Sequence, residues 1–187
     1  MLANGMKLSE LKELLIDPLS GSQFESESSD GKHVMFCNGH NYPLINGIPI
    51  IIDSSQSLFC PDAIAMKRPL TQDKTYRSTR SVKNFIRQRA IPSLTKDFRQ
   101  RSRYSELAKK AVGKRVLVIG AGDKVQFYWH VFEGSKVITS DVHLQFEPDI
   151  VMDAHQIPFR QNTFELILLS QVLEHTLQPW IVAKELE

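Results

Sequence analysis

Two short patterns in this chain are suited to chemistry. Arg115-Val-Leu-Val-Ile-Gly-Ala-Gly-Asp123 reads as a buried strand that runs into a glycine turn. Without a Cβ, glycine lets backbone N–H groups approach a ligand closely. About twenty residues on, Lys136-Val-Ile-Thr-Ser-Asp141 reads as a second strand that ends in an acid. A carboxylate at the tip of a neighbouring strand can accept hydrogen bonds from both hydroxyls of a ribose. Together the two patterns describe a nucleoside-sized crevice at the carboxyl ends of parallel strands. Asp141 also fits a solvated acid at a strand end.

Other residues add to this set. Asp153 opens Asp153-Ala-His-Gln-Ile-Pro-Phe159 after a third apolar segment. Such an aspartate can cap its own turn or meet a ligand, whereas His155 reads as a loop residue. Glu174 and His175 follow a fourth apolar segment and have the side chains for acid–base work. Cys37 and His40 bracket Asn38-Gly39 in a tight knuckle. Two nitrogen or sulfur donors are half of what tetrahedral zinc requires.

The elements that position these residues fall into three segments: 1–53, 54–113 and 114–187. In the first, Leu8, Leu11, Leu14 and Leu15 lie at helical spacing with Ser9 as the expected cap, and Asp17-Pro18 stops the helix. His33–Cys37 reads as a strand. Tyr42–Asp53 reads as a hairpin turned at Asn46-Gly47, and Asp30-Gly31 marks an earlier turn. In the second segment, 54–75 reads as irregular linker. Helices are expected over Ser81–Arg89 and Leu94–Val112, separated at Pro92. The third alternates strand and helix: strands at Arg115–Ile119, Val137–Ser140, Asp149–Met152 and Phe164–Ser170, and helices near Lys124–Glu133 and Trp180–Glu187. The fourth strand's near-continuous apolar run suits burial on both faces of a parallel sheet. The alternation predicts an α/β fold with about four parallel strands.

The net charge of +2 hides an asymmetry. Residues 67–115 hold sixteen Lys and Arg against three acids, while the flanking segments are acidic. Two readings stand: solvated helical faces, or attraction to a polyanion such as RNA or an anionic surface. Tyr76, Phe85, Phe98 and Tyr104 lie among these charges at helical spacing, which is also how core residues lie. Two cysteines exclude a disulfide scaffold and make a reducing cytoplasm the expected compartment. No eighteen-residue apolar run is present to span a membrane.

The third segment resembles a class I S-adenosylmethionine-dependent methyltransferase of the type 11 branch, with its Rossmann-like sheet. Val116–Gly122 is similar to the family's glycine turn, which would place Gly120, Ala121 and Gly122 at the cofactor. Asp141 matches the ribose-binding acid, and Asp153 with the amide of Ala154 matches the adenine contact. Phe164–His175 resembles the fourth strand and its loop, where Glu174 and His175 would border the methyl-transfer face. Two positions depart from the pattern. Val118 stands where the family places an acid facing the methionine amino group, and Lys124 stands where it places a third glycine. The resemblance therefore implies a kept nucleoside end and an altered methionine end. The family sheet is seven-stranded, so the likeness also implies a fragment or partner-dependent half with an apolar fourth-strand edge open to another chain.

Residues 1–53 resemble the small zinc-ribbon-like activator domain of tRNA and protein methyltransferases, an α+β unit. Asp17 and Ser20 occupy its first ligand pair and Cys37 and His40 its second, which implies a degenerate, metal-free site. The sequence thus predicts an S-adenosyl-L-methionine-dependent methyltransferase acting on an acceptor that these motifs do not define, with a small molecule favoured. The alternatives are a non-catalytic scaffold or pseudoenzyme and a nicotinamide-dependent dehydrogenase. The dinucleotide fingerprint places a third glycine at the position of Val125, which weighs against the dehydrogenase.

Overall fold

The computed structural model describes residues 6–29, 32–66, 98–169 and 171–187. The expected helix at Ser81–Arg89 and the residues Tyr76 and Phe85 lie outside them. The chain opens with α1 (Leu8–Leu14), whose N-cap is Lys7 rather than Ser9. Lys7 is extended and its carbonyl accepts the Leu11 N–H at 2.9 Å, so Ser9 already lies inside the first turn. Four strands follow: β1 (Ser26–Ser29), β2 (Lys32–Cys37), β3 (His40–Ile45) and β4 (Ile48–Ile51).

The β2–β3 and β3–β4 turns each contain two residues, Asn38-Gly39 and Asn46-Gly47. All four have positive φ, from 48° at Asn38 to 85° at Gly39. Asn-Gly suits this primed turn because its twist matches that of the flanking strands. The linker expected to be irregular contains a short helix, α2 (Pro61–Ala65), with proline at its start. Helix α3 (Phe98–Ala111) lies inside the expected Leu94–Val112 range.

β5 (Arg115–Ile119) runs into a 3-10 turn at Gly122–Lys124 and then α4 (Val125–Val131). β6 (Lys136–Asp141), β7 (Ile150–Met152), β8 (Leu166–Leu169) and α5 (Pro179–Glu185) complete the described elements. The strands form one sheet in the order β1-β2-β3-β4-β7-β6-β5-β8. β1 to β4 pair antiparallel, and β4, β7, β6, β5 and β8 pair parallel.

The N-terminal hairpins continue directly into the parallel sheet, because Ile50 and Ile51 align with Val151 and Met152. The end of α1 is joined to the same sheet from another side. Leu15 bridges Phe159, and the Ile16 N–H donates to the Pro158 carbonyl at 3.0 Å. One hydrophobic core accordingly spans both regions, with Leu11, Leu15, Met35 and Tyr42 packed together with Leu117, Ile138, Met152 and Val182. A second core lies under α3 and α4, where Tyr104, Tyr128 and Phe132 meet Val116 and Val118. Tyr104 packs edge-on against Phe127, Tyr128 and Phe132, so this aromatic of the basic segment belongs to the core. All four residues of β8 are half-buried, as suits a strand that pairs on one side only among the described residues. Among the described residues no helix is long and apolar enough to cross a membrane.

Candidate functional site

From β5 the chain goes to β6 and β7 on one side and returns to β8 on the other. Such a reversal opens a crevice at the carboxyl ends of the strands. Here it is a cleft of about 880 Å³. Gly120, Ala121, Gly122, Asp141, Asp153 and Ala154 all line it, as does His175. Glu174 is exposed and is not among the lining residues, so the structure separates the Glu174–His175 pair.

Gly120 has φ of 70°, and a Cβ there would collide with Val172 Cγ2 from the loop after β8. Glycine therefore serves two needs at this turn: a left-handed backbone and close approach of a neighbouring loop. The turn is fastened to the end of β6. Ala121 N–H donates to the Ser140 carbonyl at 2.9 Å, and Gly122 N–H donates to Asp141 Oδ2 at 2.8 Å.

Asp141 is buried, and its Oδ1 accepts both the N–H and the Nδ1–H of His143, each at 2.9 Å. A carboxylate offers about four acceptor positions. Three are used inside the protein, which leaves Asp141 Oδ2 room for one hydroxyl rather than the expected two. Asp153 repeats the arrangement one strand over. Its Oδ1 accepts the His155 N–H at 3.0 Å and Nδ1–H at 2.7 Å, and its Oδ2 accepts a short hydrogen bond from the Ser57 hydroxyl. Asp-x-His therefore recurs at the ends of β6 and β7 as one local fold, a signal present in the sequence.

The linker supplies a wall that sequence reasoning missed. Gln56, Leu58 and Phe59 line the cleft beside Ser57. Their loop is held by Asp53, which accepts from Ser55 N–H at 2.8 Å and Ser55 Oγ–H at 2.9 Å, while Ser57 N–H reaches the Asp53 carbonyl at 3.0 Å. Asp123, Lys124 and Gln156 are further lining residues.

Of the two departures from the motif, Val118 is fully buried and packs in the second core, so it presents no acid to the cleft. Lys124 is exposed at the rim, just before α4. Val125 is buried against the same core, so a side chain is packed where the dinucleotide fingerprint would place its third glycine.

The four positions of the resembled zinc site also converge. Asp17 is fully buried and accepts from the Ser20 hydroxyl at 2.6 Å, the Tyr42 hydroxyl at 2.6 Å and His40 Nδ1 at 3.2 Å. Ser20 Oγ lies 3.8 Å from Cys37 Sγ. Burial pushes the Asp17 carboxyl up, but the bonds from Ser20, Tyr42, His40 and Leu19 outweigh it and hold the pKa down to about 2. Burial, then the Asp17 bond and charge, raise the Tyr42 phenol. Among the described residues no group of three or more His, Cys, Asp and Glu side chains could hold a metal, so the zinc-ribbon likeness gains no support from a metal centre. Cys37 and Cys60 are free thiols, the first buried and the second exposed.

The model of a methyltransferase-domain family matches residues 117–187, which include the ends of β5 to β8 and every cleft residue after the linker. That match supports a methyl-transfer activity in general. No curated protein matches the chain.

Proposed function

We propose that the cleft binds S-adenosyl-L-methionine and that the chain transfers its methyl group to a small-molecule acceptor. One observation carries the reading. The glycine turn, Asp141, Asp153 and Ala154 come from three separate strand ends and line one crevice inside the region that matches the methyltransferase family. When bound, the cofactor supplies a methyl group on a sulfonium, which is a good leaving group. The protein's part is then mainly proximity and orientation.

The donor set fits the nucleoside end. Asp141 keeps one acceptor position for a ribose hydroxyl, and Ala154 N–H would face adenine beside Asp153. At the methionine end Val118 offers no charge, and Asp123 is the lining acid that stands next to the glycine turn. Its carboxylate would take over as counter-charge to the amino group. His175 would border the acceptor and accept a proton where the acceptor has one to lose. Free thiols and the absence of a long apolar helix among the described residues are compatible with a cytoplasmic enzyme.

A scaffold is the second reading, and buried Val118 favours it. Calorimetric titration with S-adenosylhomocysteine, with a nicotinamide dinucleotide as control, decides between them. Saturable binding of the first ligand alone is the expected result. No heat at millimolar ligand would leave the scaffold.

A further inference from the structure

Gln156 is held over the cleft by a tight turn, in which its N–H donates to the Asp153 carbonyl at 3.0 Å. Its Oε1 is buried and has no hydrogen-bond partner among the described residues. Buried amide oxygens nearly always have a donor, so an exception at a ligand cleft calls for one from outside the protein. The terminal amide torsion is soft, so the oxygen can turn towards a donor entering the cleft.

Asp153, the neighbouring acceptor, is largely occupied. Three of its roughly four acceptor positions are filled by the His155 N–H, the His155 ring and the Ser57 hydroxyl. The one Ser57 hydroxyl proton is donated to that bond, while Ser57 Oγ accepts the Phe59 N–H at 3.1 Å. His155 and the linker together have thereby taken up much of the side chain that the motif assigns to the base, while Gln156 Oε1 remains unpartnered among the described residues three residues on.

We propose that Gln156 is the base-selecting residue of the cleft, accepting the exocyclic amine of adenine through Oε1. The inference rests on the nucleoside reading above and adds a specificity determinant to it. A purine lacking that amine leaves Oε1 without a donor and is bound more weakly.

The test compares two probes, S-adenosylhomocysteine and its 6-deamino purine analogue, which differ only in the amine. Each is titrated calorimetrically into the wild type, Gln156→Leu and Gln156→Glu. The wild type is expected to prefer the amine-bearing ligand by about tenfold, the effect of one hydrogen bond and one relieved unpaired group. Gln156→Leu is expected to bind both within about twofold of each other and to melt no lower than the wild type, since an unsatisfied amide has been replaced by an apolar group. Gln156→Glu keeps an acceptor and keeps the preference. An unchanged preference in Gln156→Leu would overturn the inference and leave the nucleoside reading intact, even if both affinities fell together. A wild type that binds neither probe would overturn both.

Discussion

Gly120 gives the sharpest test of how the cleft is built. Alanine there must adopt φ near 70°, which costs about 1–2 kcal/mol for a residue with a Cβ. The new Cβ would also overlap Val172 Cγ2 and lie 3.7 Å from Val172 Cβ. Valine is stiff at χ1, and the Val172 carbonyl is tied to the His175 N–H at 2.9 Å, so the loop has little room to give. Overpacking of this kind costs about 1–3 kcal/mol, for a total near 2–5 kcal/mol. In a domain of this size the melting temperature should fall by about 5–15 °C. The two contributions separate in a double-mutant cycle, because Val172→Ala removes the obstructing methyl and leaves the backbone strain. Gly120→Ala should therefore cost about 1–3 kcal/mol less in the Val172→Ala background, measured by urea denaturation. Equal costs in the two backgrounds would refute the close approach of the two loops, and a neutral Gly120→Ala would refute the turn geometry as well.

Three further outcomes are expected. Asp141→Asn loses the charge, and its NH₂ must face either the Gly122 N–H or the His143 donors, so affinity for S-adenosylhomocysteine should fall about a hundredfold by calorimetry. A change within twofold would remove Asp141 from the site. Asp123→Asn should weaken S-adenosylhomocysteine severalfold and leave adenosine, which lacks the amino-acid end, unaffected. Equal losses for both ligands would show that Asp123 does not face the amino group. Asp17 has a folded pKa of about 2 against an ordinary 3.8, a depressed value that contributes about 2 kcal/mol. That stability is fully present above about pH 4 and is lost as pH falls through about 2. Acid denaturation of Asp17→Asn should lack this component, and an acid limb identical to that of the wild type would contradict the hydrogen-bonded cluster.

What the sequence made legible follows from how local each signal is. The Asn-Gly pairs specify their turns by themselves, and the period and length of Arg115–Ile119 specify β5, so these elements stand where they were expected. The helix after the glycine turn starts at Val125, one residue late, because the left-handed Gly122 first feeds a 3-10 turn. β8 is shorter than its apolar run, since Phe164 instead stacks edge-on with Phe159 at 4.8 Å and Glu165 accepts the Arg115 N–H at 2.9 Å. The linker's share in the cleft was not legible, because Ser57 and Asp153 are 96 residues apart and neither carries a mark of the other. The pairing of β4 with β7 did leave a trace. Ile48–Ile51 is apolar at every position and every one is buried, a central parallel strand's pattern rather than a half-solvated hairpin's alternation.

The two Asp-x-His folds explain how one cleft is assembled from distant pieces of chain. At each strand end the Oδ1 atom is saturated by the histidine two residues on, which fixes the carboxylate's orientation without using Oδ2. The Oδ2 of Asp141 then fastens the glycine turn and that of Asp153 fastens the linker, so the two walls are held by equivalent atoms on adjacent strands. Each Oδ2 retains about one acceptor position, and both carboxylates face the same crevice. A ligand that engages both would meet the two carboxylates that hold the glycine turn and the linker. By this route residues 54–59, far from the methyltransferase match in sequence, become part of the same site.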